Sequence, residues 1–434
     1  MKTPIFDFVN SYSNKNSHRL HMPGHKGKAF LGCESLDITE ISGADSLFEA
    51  DSIIKESEEN ATHLFGSLAT LYSTEGSTGS IKAMIYLALK NRNNKDKKPI
   101  IAATRNAHKA FIYACALLDV DIYWIYGKGD AFSLCECNIT KEDVREAVEN
   151  SGAFAVYLTS PDYLGNMLDI KDISETAHKH NIPLLVDNAH GAYLHFLKNS
   201  LHPLDLGADI CCDSAHKTLP VLTGGAYLHI NNEKYLSGAK EALSLFCSTS
   251  PSYLILSSLD LANKYLSEGY REKLSEFAHK LNALKIALKK RGFVVLDSDP
   301  LKLTVENFGA PLSKTLKEHN IEWEYEASDF TVLMFTPENT DADLKAVENA
   351  LINPPVFKEN ELKAVKPKKV CSARDALLFE SERVDIEKAV GRVLADVSVS
   401  CPPAVPILIS GEEVSKEAVE IFRFYNVKEV NVIK

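Results

Sequence analysis

Hydrophobic positions in the first half of the chain fall into short runs that alternate with helix-like segments. The segments AHKAFIYACALLDV and DIKDISETAHKHN place polar residues at helical spacing and predict helices. Short apolar strands separated by helices favour a mainly parallel sheet that is covered on both faces. The pattern therefore predicts an α/β fold between about residues 60 and 260. The runs that predict strands are PIIAAT, DIYWIY, AFAVYLTS, IPLLVDNA and ADICCDS.

The pattern changes in the second half of the chain. The stretch SYLILSSLDLANKYLSEGYREKLSEFAHKLNALKIALKKRG predicts one long helix that ends at a glycine after basic residues. Helices near 310–319 and 340–351 then alternate with predicted strands, which is typical of a smaller α+β domain. These strands are FVVLDS, LKLTVEN, EWEYEAS and FTVLMFT. The last piece predicts another helix, the turn-rich CPPAVPILISGEE, and a terminal helix and strand.

These changes of pattern predict how the chain divides into domains. The start is polar up to HMPGHKGKAF, where Pro23 and Gly24 forbid a continuous helix, and we expect it to pack as an arm. The segment PPVFKENELKAVKPKKV is rich in Pro and Lys and is typical of a linker. The predicted parts are the N-terminal arm 1–30, the large domain 31–260, the small α+β domain 261–353, the linker 354–370 and the C-terminal domain 371–434.

Composition narrows the classes of function. The 434 residues are 45% hydrophobic and 25% charged, with a formal net charge of −11. An acidic chain without a basic block is a poor candidate for binding nucleic acid, although a cationic small substrate suits it. The nine cysteines form no CxxC pair typical of a metal or redox motif, and their odd number in a chain of this length indicates reduced thiols of the cytoplasm. No signal peptide is evident, and no apolar run approaches the roughly 18 residues of a membrane span. We expect a soluble, cytoplasmic protein without a membrane or nucleic-acid partner.

The segment STEGSTGS, from Ser73 to Ser80, opens the amphipathic run IKAMIYLALK. Hydroxyls and free backbone N–H groups at a helix N-terminus bind a phosphate well. A plain helix cap is the alternative, but it needs only one such residue, and this segment holds five Ser or Thr and two Gly. No GK[ST] follows, so the segment is not a nucleotide P-loop.

Three further segments carry chemical groups next to predicted strands. Asp187 ends the strand of LLVDNAHGAY, where it either faces a ligand or caps the next turn. Ser214, His216 and Lys217 follow the strand of ADICCD, and Lys217 is either a solvated loop residue or a desolvated nucleophile. His108 in RNAHKA follows a strand and begins a helix, with a structural role as the alternative.

The spacing of histidines does not favour a metal site. His21 and His25 have i,i+4 spacing, but Pro23 between them denies the helix that would align them. His178 and His180 lie on the polar face of a predicted helix. We expect no metal.

Together, the phosphate loop, an aspartate, a lysine and a flat histidine are the groups that pyridoxal 5′-phosphate (PLP) requires. The lysine forms a Schiff base, and the aspartate keeps the pyridine nitrogen protonated. The hydroxyl-rich loop holds the phosphate, and an imidazole can stack on the ring. The order of the segments places each group at a strand end of one sheet. The sequence therefore predicts that Lys217 is the cofactor lysine.

Six short segments of the chain resemble the marker segments of the Orn/Lys/Arg decarboxylase family. The members of that family are fold-type I, aspartate aminotransferase-like PLP enzymes. The tail VGRVLADVSVSCPPAVPILISGEEV is similar to the C-terminal domain of that family, so the resemblance covers nearly the whole chain. The chain resembles the short form, which lacks the N-terminal wing domain. The segments that carry the resemblance are HMPGHKGK, STEGSTGS, RNAHKA, LLVDNAHGAY, DSAHKTL and STSPSY.

The resemblance implies roles for the residues around the PLP ring. Lys217 carries the Schiff base, and His216 contacts the cofactor or the substrate. Asp187 pairs with the pyridine nitrogen, with Ala189 and His190 packed near the ring. The region 31–260 is then the PLP-binding large domain.

The resemblance also implies how the rest of the cofactor is held. His108 stacks on the ring. The segment STSPSY implies that Ser248 or Thr249 reaches the phosphate of a neighbouring subunit, so that a homodimer or higher homo-oligomer shares its active sites. The phosphate ligands within the subunit are Gly76, Ser77, Thr78 and Ser214.

The chain departs from the pattern of the family at several positions. Asn188 stands where the family commonly has a glutamate, DNAHG for DEAHG, and removes a charge beside the ring. Glu75 lies in the phosphate loop, and Asp162 in SPDYLG replaces a common threonine. CPPAVP replaces YPPGIP, which changes Cys401 and Ala404.

The activity implied is α-decarboxylation of arginine, lysine or ornithine to an amine and carbon dioxide in polyamine metabolism. A proton returns to Cα from His216 or Lys217, and Asp162 or Glu75 are candidates for binding the distal cation. Another fold-type I reaction (an aminotransferase, aldolase or lyase) is one alternative, although no arginine clamp for the substrate carboxylate is evident. A catalytically inactive, PLP-binding paralogue is the other.

Overall fold

A computed structural model describes residues 1–15, 17–127, 129, 132–297, 299–307, 311–354, 362–397 and 403–434. The strands are β1 (Ala69–Ser73), β2 (Ile100–Thr104), β3 (Asp121–Ile125), β4 (Ala155–Thr159), β5 (Leu184–Asp187), β6 (Ile210–Asp213), β7 (Ala226–Ile230), β8 (Lys302–Glu306), β9 (Tyr325–Glu326), β10 (Phe330–Met334), β11 (Ser381–Asp385) and β12 (Glu429–Ile433). The helices are α1 (Pro4–Ser13), α2 (Ile53–Phe65), α3 (Gly76–Lys90), α4 (Lys109–Leu117), α5 (Lys141–Ser151), α6 (Ile170–Lys179), α7 (Ala215–Thr218), α8 (Ala239–Ser244), α9 (Tyr253–Ser267), α10 (Tyr270–Lys290), α11 (Ser313–Glu318), α12 (Asp341–Ala350), α13 (Ala373–Leu378) and α14 (Lys416–Phe424).

The chain divides into two compact units, and each is built from two separate stretches of sequence. The first unit comprises Met1–Asn93 and Pro183–Ser275, and the second comprises Asn94–Ile182 and Glu276–Lys434. Both units combine helices with strands. The domain boundaries that the sequence predicts stay a prediction.

The sheet of the first unit has the strand order β1-β7-β6-β5. Strands β5 and β6 are parallel, and β7 is antiparallel to both β6 and β1, so three of the four strands run in the same direction. Every residue of β5, β6 and β7 is buried. Such strands carry apolar residues without alternation, as the runs LLVD and ICCD do.

In the second unit, β2 lies between β3 and β4, and all three strands are parallel. A separate antiparallel sheet has the order β8-β10-β9, and β11 pairs with β12. The predicted α/β fold with mainly parallel strands is confirmed. Among the described helices, none combines the length and the apolar composition that crossing a membrane would need.

Most of the elements predicted from the hydrophobic pattern form where they are expected, but two predictions are wrong. The predicted long helix is divided into α9 and α10, because Gly269 between them has a left-handed backbone with φ +75°. The described part of the segment FVVLDS, residues 293–297, does not form a strand, since Val295 makes only an isolated bridge to Val305 of β8. The predicted linker includes residues 355–361, which lie outside the described residues, as does Cys401.

The first half of the predicted N-terminal arm is helical. Helix α1 begins at Pro4, where a missing N–H costs nothing, and it buries Ile5 and Val9. The carboxylate of Asp260 in α9 accepts a hydrogen bond from the backbone N–H of Phe6 at 3.0 Å. This contact satisfies one of the unpaired donors of the first helical turn. The helix is therefore part of the first unit.

Candidate active site

Asp187 is fixed at the carboxyl end of β5. Its side chain is 2% exposed, and its Oδ1 atom accepts a hydrogen bond from the backbone N–H of Ala189 at 3.1 Å. Cys212 is the partner of Asp187 in the β5–β6 register, and its Sγ atom lies 3.8 Å from the same oxygen. A buried carboxylate is therefore held at the sheet edge where ligands of α/β proteins bind.

Lys217 lies on the short helix α7, directly after β6, and is half-buried. Its Nζ atom is 2.9 Å from Nε2 of His190, which is itself buried. An ammonium group has only donors, so the imidazole nitrogen accepts this bond when Lys217 is charged. Because His190 follows Ala189, short contacts connect the lysine to the segment that holds Asp187.

His216 is oriented by the backbone of the loop that precedes β7. Its Nδ1 atom lies 3.1 Å from the carbonyl oxygen of Gly225, which can only accept, so Nδ1 carries the proton. In a neutral ring, Nε2 is then the acceptor. A Cβ atom at Gly76 would lie 4.0 Å from Cε1 of His216, so the ring lies beside the predicted phosphate loop.

The predicted phosphate loop connects β1 to α3. The Ser214 hydroxyl donates to the Ser77 hydroxyl at 2.7 Å, which brings the ends of two strands together. Gly76 has φ +67°, and its N–H donates to the carbonyl of Gly224 at 2.7 Å. Thr78 in the first turn of α3 is exposed. Two hydroxyls at the N-terminus of this 15-residue helix suit an anion.

These residues fit PLP by the kinds of group that they offer. A buried carboxylate, a lysine amine and a hydroxyl pair at a helix N-terminus all belong to the first unit. They are the groups that the pyridine nitrogen, the aldehyde and the phosphate of PLP each require.

His108, in the second unit, is the N-cap of α4. Its Nδ1 atom accepts a hydrogen bond from the backbone N–H of Ala110 at 3.1 Å. The structural alternative for this histidine is therefore realised in part, because one ring nitrogen caps the helix. Its stacking on the cofactor stays a prediction.

Ser248 and Thr249 are both exposed. The Ser248 hydroxyl accepts a hydrogen bond from the N–H of Ser250 at 3.1 Å. Their predicted contact with the phosphate of a neighbouring subunit stays a prediction.

The two acidic residues suggested for the distal cation differ in their surroundings. Glu75 is exposed at the N-terminus of α3. Asp162 is 4% exposed, and its carboxylate accepts from the N–H groups of Gly165 and Asn166 and from the Asn166 amide, each at 2.8 Å. Burial raises the pKa of Asp162 to about 7, although the Asn166 side chain opposes the shift. The carboxylate of Asp162 therefore stabilises the turn that residues 162–166 form.

Sequence reasoning missed a buried polar cluster behind Asp187 and Lys217. Asp213, the last residue of β6, accepts hydrogen bonds from the amide of Asn188 at 2.7 Å and from Nε2 of both His202 and His229 at 3.0 Å. All four side chains are fully buried. Polar residues within otherwise apolar strands, Asp213 in β6 and His229 in β7, were the available signal.

Comparisons with known proteins identify families that match most of the chain. The family described as Orn/Lys/Arg decarboxylase, major domain, matches residues 3–306, and the family described as Orn/Lys/Arg decarboxylase, C-terminal domain, matches residues 353–431. Uncharacterized protein YaaO of Bacillus subtilis (strain 168) is 31% identical over 97% of this chain and 93% of its own.

Two further similar proteins carry descriptions of activity. An arginine decarboxylase of Halalkalibacterium halodurans is 30% identical over 98% of this chain and 94% of its own. The crystal structure of the lysine decarboxylase LdcF of Francisella novicida superposes with a TM-score of 0.83 at 18% identity, covering 100% of this chain and 81% of the other. At that identity, the likeness to LdcF shows the fold.

Proposed function

The chain belongs to the Orn/Lys/Arg decarboxylase family, and from this premise we propose that it decarboxylates a basic amino acid, with arginine as the first candidate. As a member of that family, it is a PLP-dependent amino acid decarboxylase. The amine product would be a precursor for polyamine synthesis. Lysine and ornithine are the other candidate substrates.

One observation carries the proposal: adjacent strand ends of the first unit present a buried carboxylate and a lysine amine. Asp187 ends β5, and Lys217 lies four residues beyond the end of β6, with its Nζ atom 2.9 Å from His190. When bound, PLP supplies the electron sink that makes loss of an α-carboxylate possible at neutral pH.

The residues of the chain then divide the work. Lys217 is the residue that would hold PLP covalently, and Asp187 would keep a proton on the pyridine nitrogen. Ala189 and His190 would pack near the ring, and His108 would stack on its face. His216 or Lys217 returns a proton to Cα after carbon dioxide has left. The residues that would bind the phosphate are Gly76, Ser77, Thr78 and Ser214.

Arginine is favoured by the relatives that cover nearly the whole chain. The Halalkalibacterium halodurans protein, described as an arginine decarboxylase, aligns with 98% of it. The net charge of −11 suits a cationic substrate, since a negative surface raises the local concentration of cations.

We propose that the working enzyme is a cytoplasmic homodimer, or a higher homo-oligomer, with shared active sites. The N-terminal arm supports this proposal, because three of its large apolar side chains are exposed: Leu20 by 94%, Met22 by 67% and Phe30 by 79%. Leu31, which directly follows the arm, is exposed by 89%. Such a concentration of exposed apolar residues is typical of an interface. Ser248 or Thr249 would then reach the phosphate of the neighbouring subunit.

The experiment that tests the proposal incubates the PLP-loaded protein separately with arginine, lysine and ornithine. Carbon dioxide and amine are both measured. Lys217→Ala serves as the blank, and Lys234→Ala, which changes an exposed lysine, serves as the matched control. We expect release from arginine, lost in Lys217→Ala and kept in Lys234→Ala.

Release from lysine or ornithine alone would keep the reaction and change the substrate. No release from any of the three, together with a visible absorption band that depends on Lys217, would contradict decarboxylation of a basic amino acid. The result would then favour another fold-type I reaction or a catalytically inactive, PLP-binding paralogue.

A further inference from the structure

Three hydrogen-bond donors converge on the carboxylate of Asp213. The Asn188 amide donates to Oδ1, and the Nε2 atoms of His202 and His229 both lie 3.0 Å from Oδ2. Burial by itself would raise the pKa of Asp213, but His202 and His229 outweigh it and hold the pKa well below its usual range. Asp213 is therefore an ionised carboxylate in the interior of the first unit.

The hydrogen bonds at the Nδ1 atoms of the two imidazoles explain why their Nε2 atoms donate to Asp213. Nδ1 of His202 accepts from the backbone N–H of Leu204 at 3.3 Å, so the proton of a neutral ring is on Nε2. Nδ1 of His229 lies 2.8 Å from the hydroxyl of Thr70, which can donate to it. Burial lowers the pKa of His229, in keeping with a neutral ring.

His202, Cys211 and Asp213 also place ligand-type atoms within 4.8 Å of one another, as a metal site would. A metal, however, would need the lone pair of the His202 Nε2 atom. Because Nδ1 of His202 accepts a hydrogen bond from Leu204, the proton of the neutral ring is on Nε2, and that atom has no lone pair to offer a metal. The contacts are therefore those of a hydrogen-bonded cluster.

Asn188 is the neutral member of this cluster. Its backbone N–H donates to the carbonyl of Cys212 at 3.0 Å, which fixes it beside β6. Gly191 leaves room for its side chain, because a Cβ atom there would lie 2.1 Å from the Asn188 Oδ1 atom. An aspartate at 188, which has the shape of asparagine, would place a second carboxylate about 2.7 Å from that of Asp213, where two like charges cannot both be ionised. The neutral amide of Asn188 thus complements the carboxylate of Asp213.

We propose that Asn188 and Asp213 form a positioning pair that holds the ends of β5 and β6 in register for catalysis. Asn188 directly follows Asp187, the carboxylate proposed for the pyridine nitrogen. Asp213 directly precedes Ser214, a hydroxyl proposed for the phosphate. The buried hydrogen bond between Asn188 and Asp213 therefore connects the two parts of the PLP site. The inference rests on the proposed function, since it takes Asp187, Ser214 and Lys217 as the PLP residues.

Other titratable groups surround the pair. Tyr227 of β7 faces Asp213 in the strand register, and burial raises the pKa of its phenol. Asp205 lies 2.8 Å from Nδ1 of His195. Burial also raises the thiol pKa of both Cys211 and Cys212. Among the described residues, the side chains that donate to Asp213 are the two imidazoles and Asn188, so these groups set its protonation.

A reciprocal exchange of the pair tests the inference. In Asn188→Asp, two carboxylates meet, and we expect the PLP dissociation constant at about pH 8.5 to rise by about tenfold or more relative to the parent. At about pH 5.5 the excess shrinks, because one shared proton lets one carboxyl donate to the other. Combining Asn188→Asp with Asp213→Asn restores a donor–acceptor pair, so PLP affinity returns to within about threefold of the parent at both pH values.

Two single variants complete the design. In Asp213→Asn, the Asn188 amide can turn its Oδ1 atom towards the new amide, since that oxygen accepts no bond from a described side chain or backbone group. We expect a folded protein with a modest loss of affinity. Asn188→Ala removes the donor without adding a charge, so its loss should not depend on pH.

Three results would overturn the inference. One is parent-like PLP affinity of Asn188→Asp at the higher pH, and another is a double variant that binds PLP no better than Asn188→Asp. The third is one zinc per chain in the purified protein, lost in Asp213→Asn. PLP titration and melting of the apoprotein need no substrate, so a parent that decarboxylates none of the three amino acids would end the proposed function while leaving this test intact.

Discussion

The Nζ atom of Lys217 lies 2.9 Å from the Nε2 atom of His190. The lysine is half-buried and the histidine is 5% exposed, so the contact is largely screened from water. The alternative that Lys217 is an ordinary solvated loop lysine does not fit this environment. An imidazole at this distance can orient the amine and can exchange a proton with it.

The first prediction concerns this contact. We expect His190→Ala to lower kcat/KM for the substrate by about 100-fold, the usual scale for losing a group that assists proton transfer. The visible absorption of lysine-bound PLP should persist, because Lys217 itself is intact. Stopped-flow absorbance and steady-state kinetics measure the two quantities.

His178→Ala, at an exposed position of α6, is the matched control and should behave as the parent. If His190→Ala kept parental kcat/KM, the contact with Lys217 would be only structural.

The second prediction concerns the N-terminal turn of α3. A Cβ atom at Gly79 would lie 2.3 Å from the Sγ atom of Cys247, which is too close for both atoms to remain in place. In Gly79→Ala, either the Cys247 side chain or the turn that carries Ser77 must therefore move, and we predict that the turn moves. Since a shift of about 1 Å can cost orders of magnitude in a positioned site, we expect PLP affinity to fall by about tenfold.

Removing the obstructing sulfur should reverse this effect. We expect Gly79→Ala with Cys247→Ala to recover most of the PLP affinity in an absorbance titration, and Cys247→Ala alone to match the parent. Failure of the second substitution to restore binding would mean that the loss has another cause.

Local patterns explain what could be predicted from the sequence. The β5 and β6 strands follow from apolar runs of four to six residues, and Lys217 follows from a motif that is contiguous in the chain. The Asp213 cluster could not be predicted, because its members come from four separate segments and meet only after folding. The division of the long helix at Gly269 depends on one backbone conformation, which the apolar periodicity on both sides conceals.

The third prediction is a pH dependence of stability. The pKa of Asp162 is raised by burial from 3.8 to about 7, so the folded chain binds a proton that the unfolded chain has already released between those values. Ionised Asp162 therefore lowers the free energy of unfolding above pH 7, and that penalty is relieved as the pH falls through 7 towards 4. Asp162→Asn removes the titration.

The measurement is the difference in free energy of unfolding between Asp162→Asn and the parent, from urea unfolding at several pH values. The variant should become more stable relative to the parent as the pH rises towards 7, by up to about 1.4 kcal/mol per pH unit. Above pH 7 the difference should level off. Asp297→Asn, at an exposed position, is the control. A difference that does not change with pH would contradict an Asp162 pKa near 7.

The last prediction concerns Ala404, which stands where the family pattern has glycine. Its backbone is left-handed, with φ +57°, its side chain is 1% exposed, and its carbonyl accepts from the N–H of Lys109 at 2.9 Å. A left-handed alanine costs about 1–2 kcal/mol. Ala404→Gly removes that cost but loses a buried methyl worth about 0.8 kcal/mol and gains backbone freedom when unfolded, so we expect stability within about 0.5 kcal/mol of the parent.

Ala404→Val should lose about 2–3 kcal/mol, because a branched Cβ is strongly disfavoured at positive φ. Urea unfolding measures all three, and Ala395→Val, at a buried position without a left-handed backbone, controls for the added volume. Equal losses in the two valine variants would show that crowding, rather than backbone conformation, limits position 404.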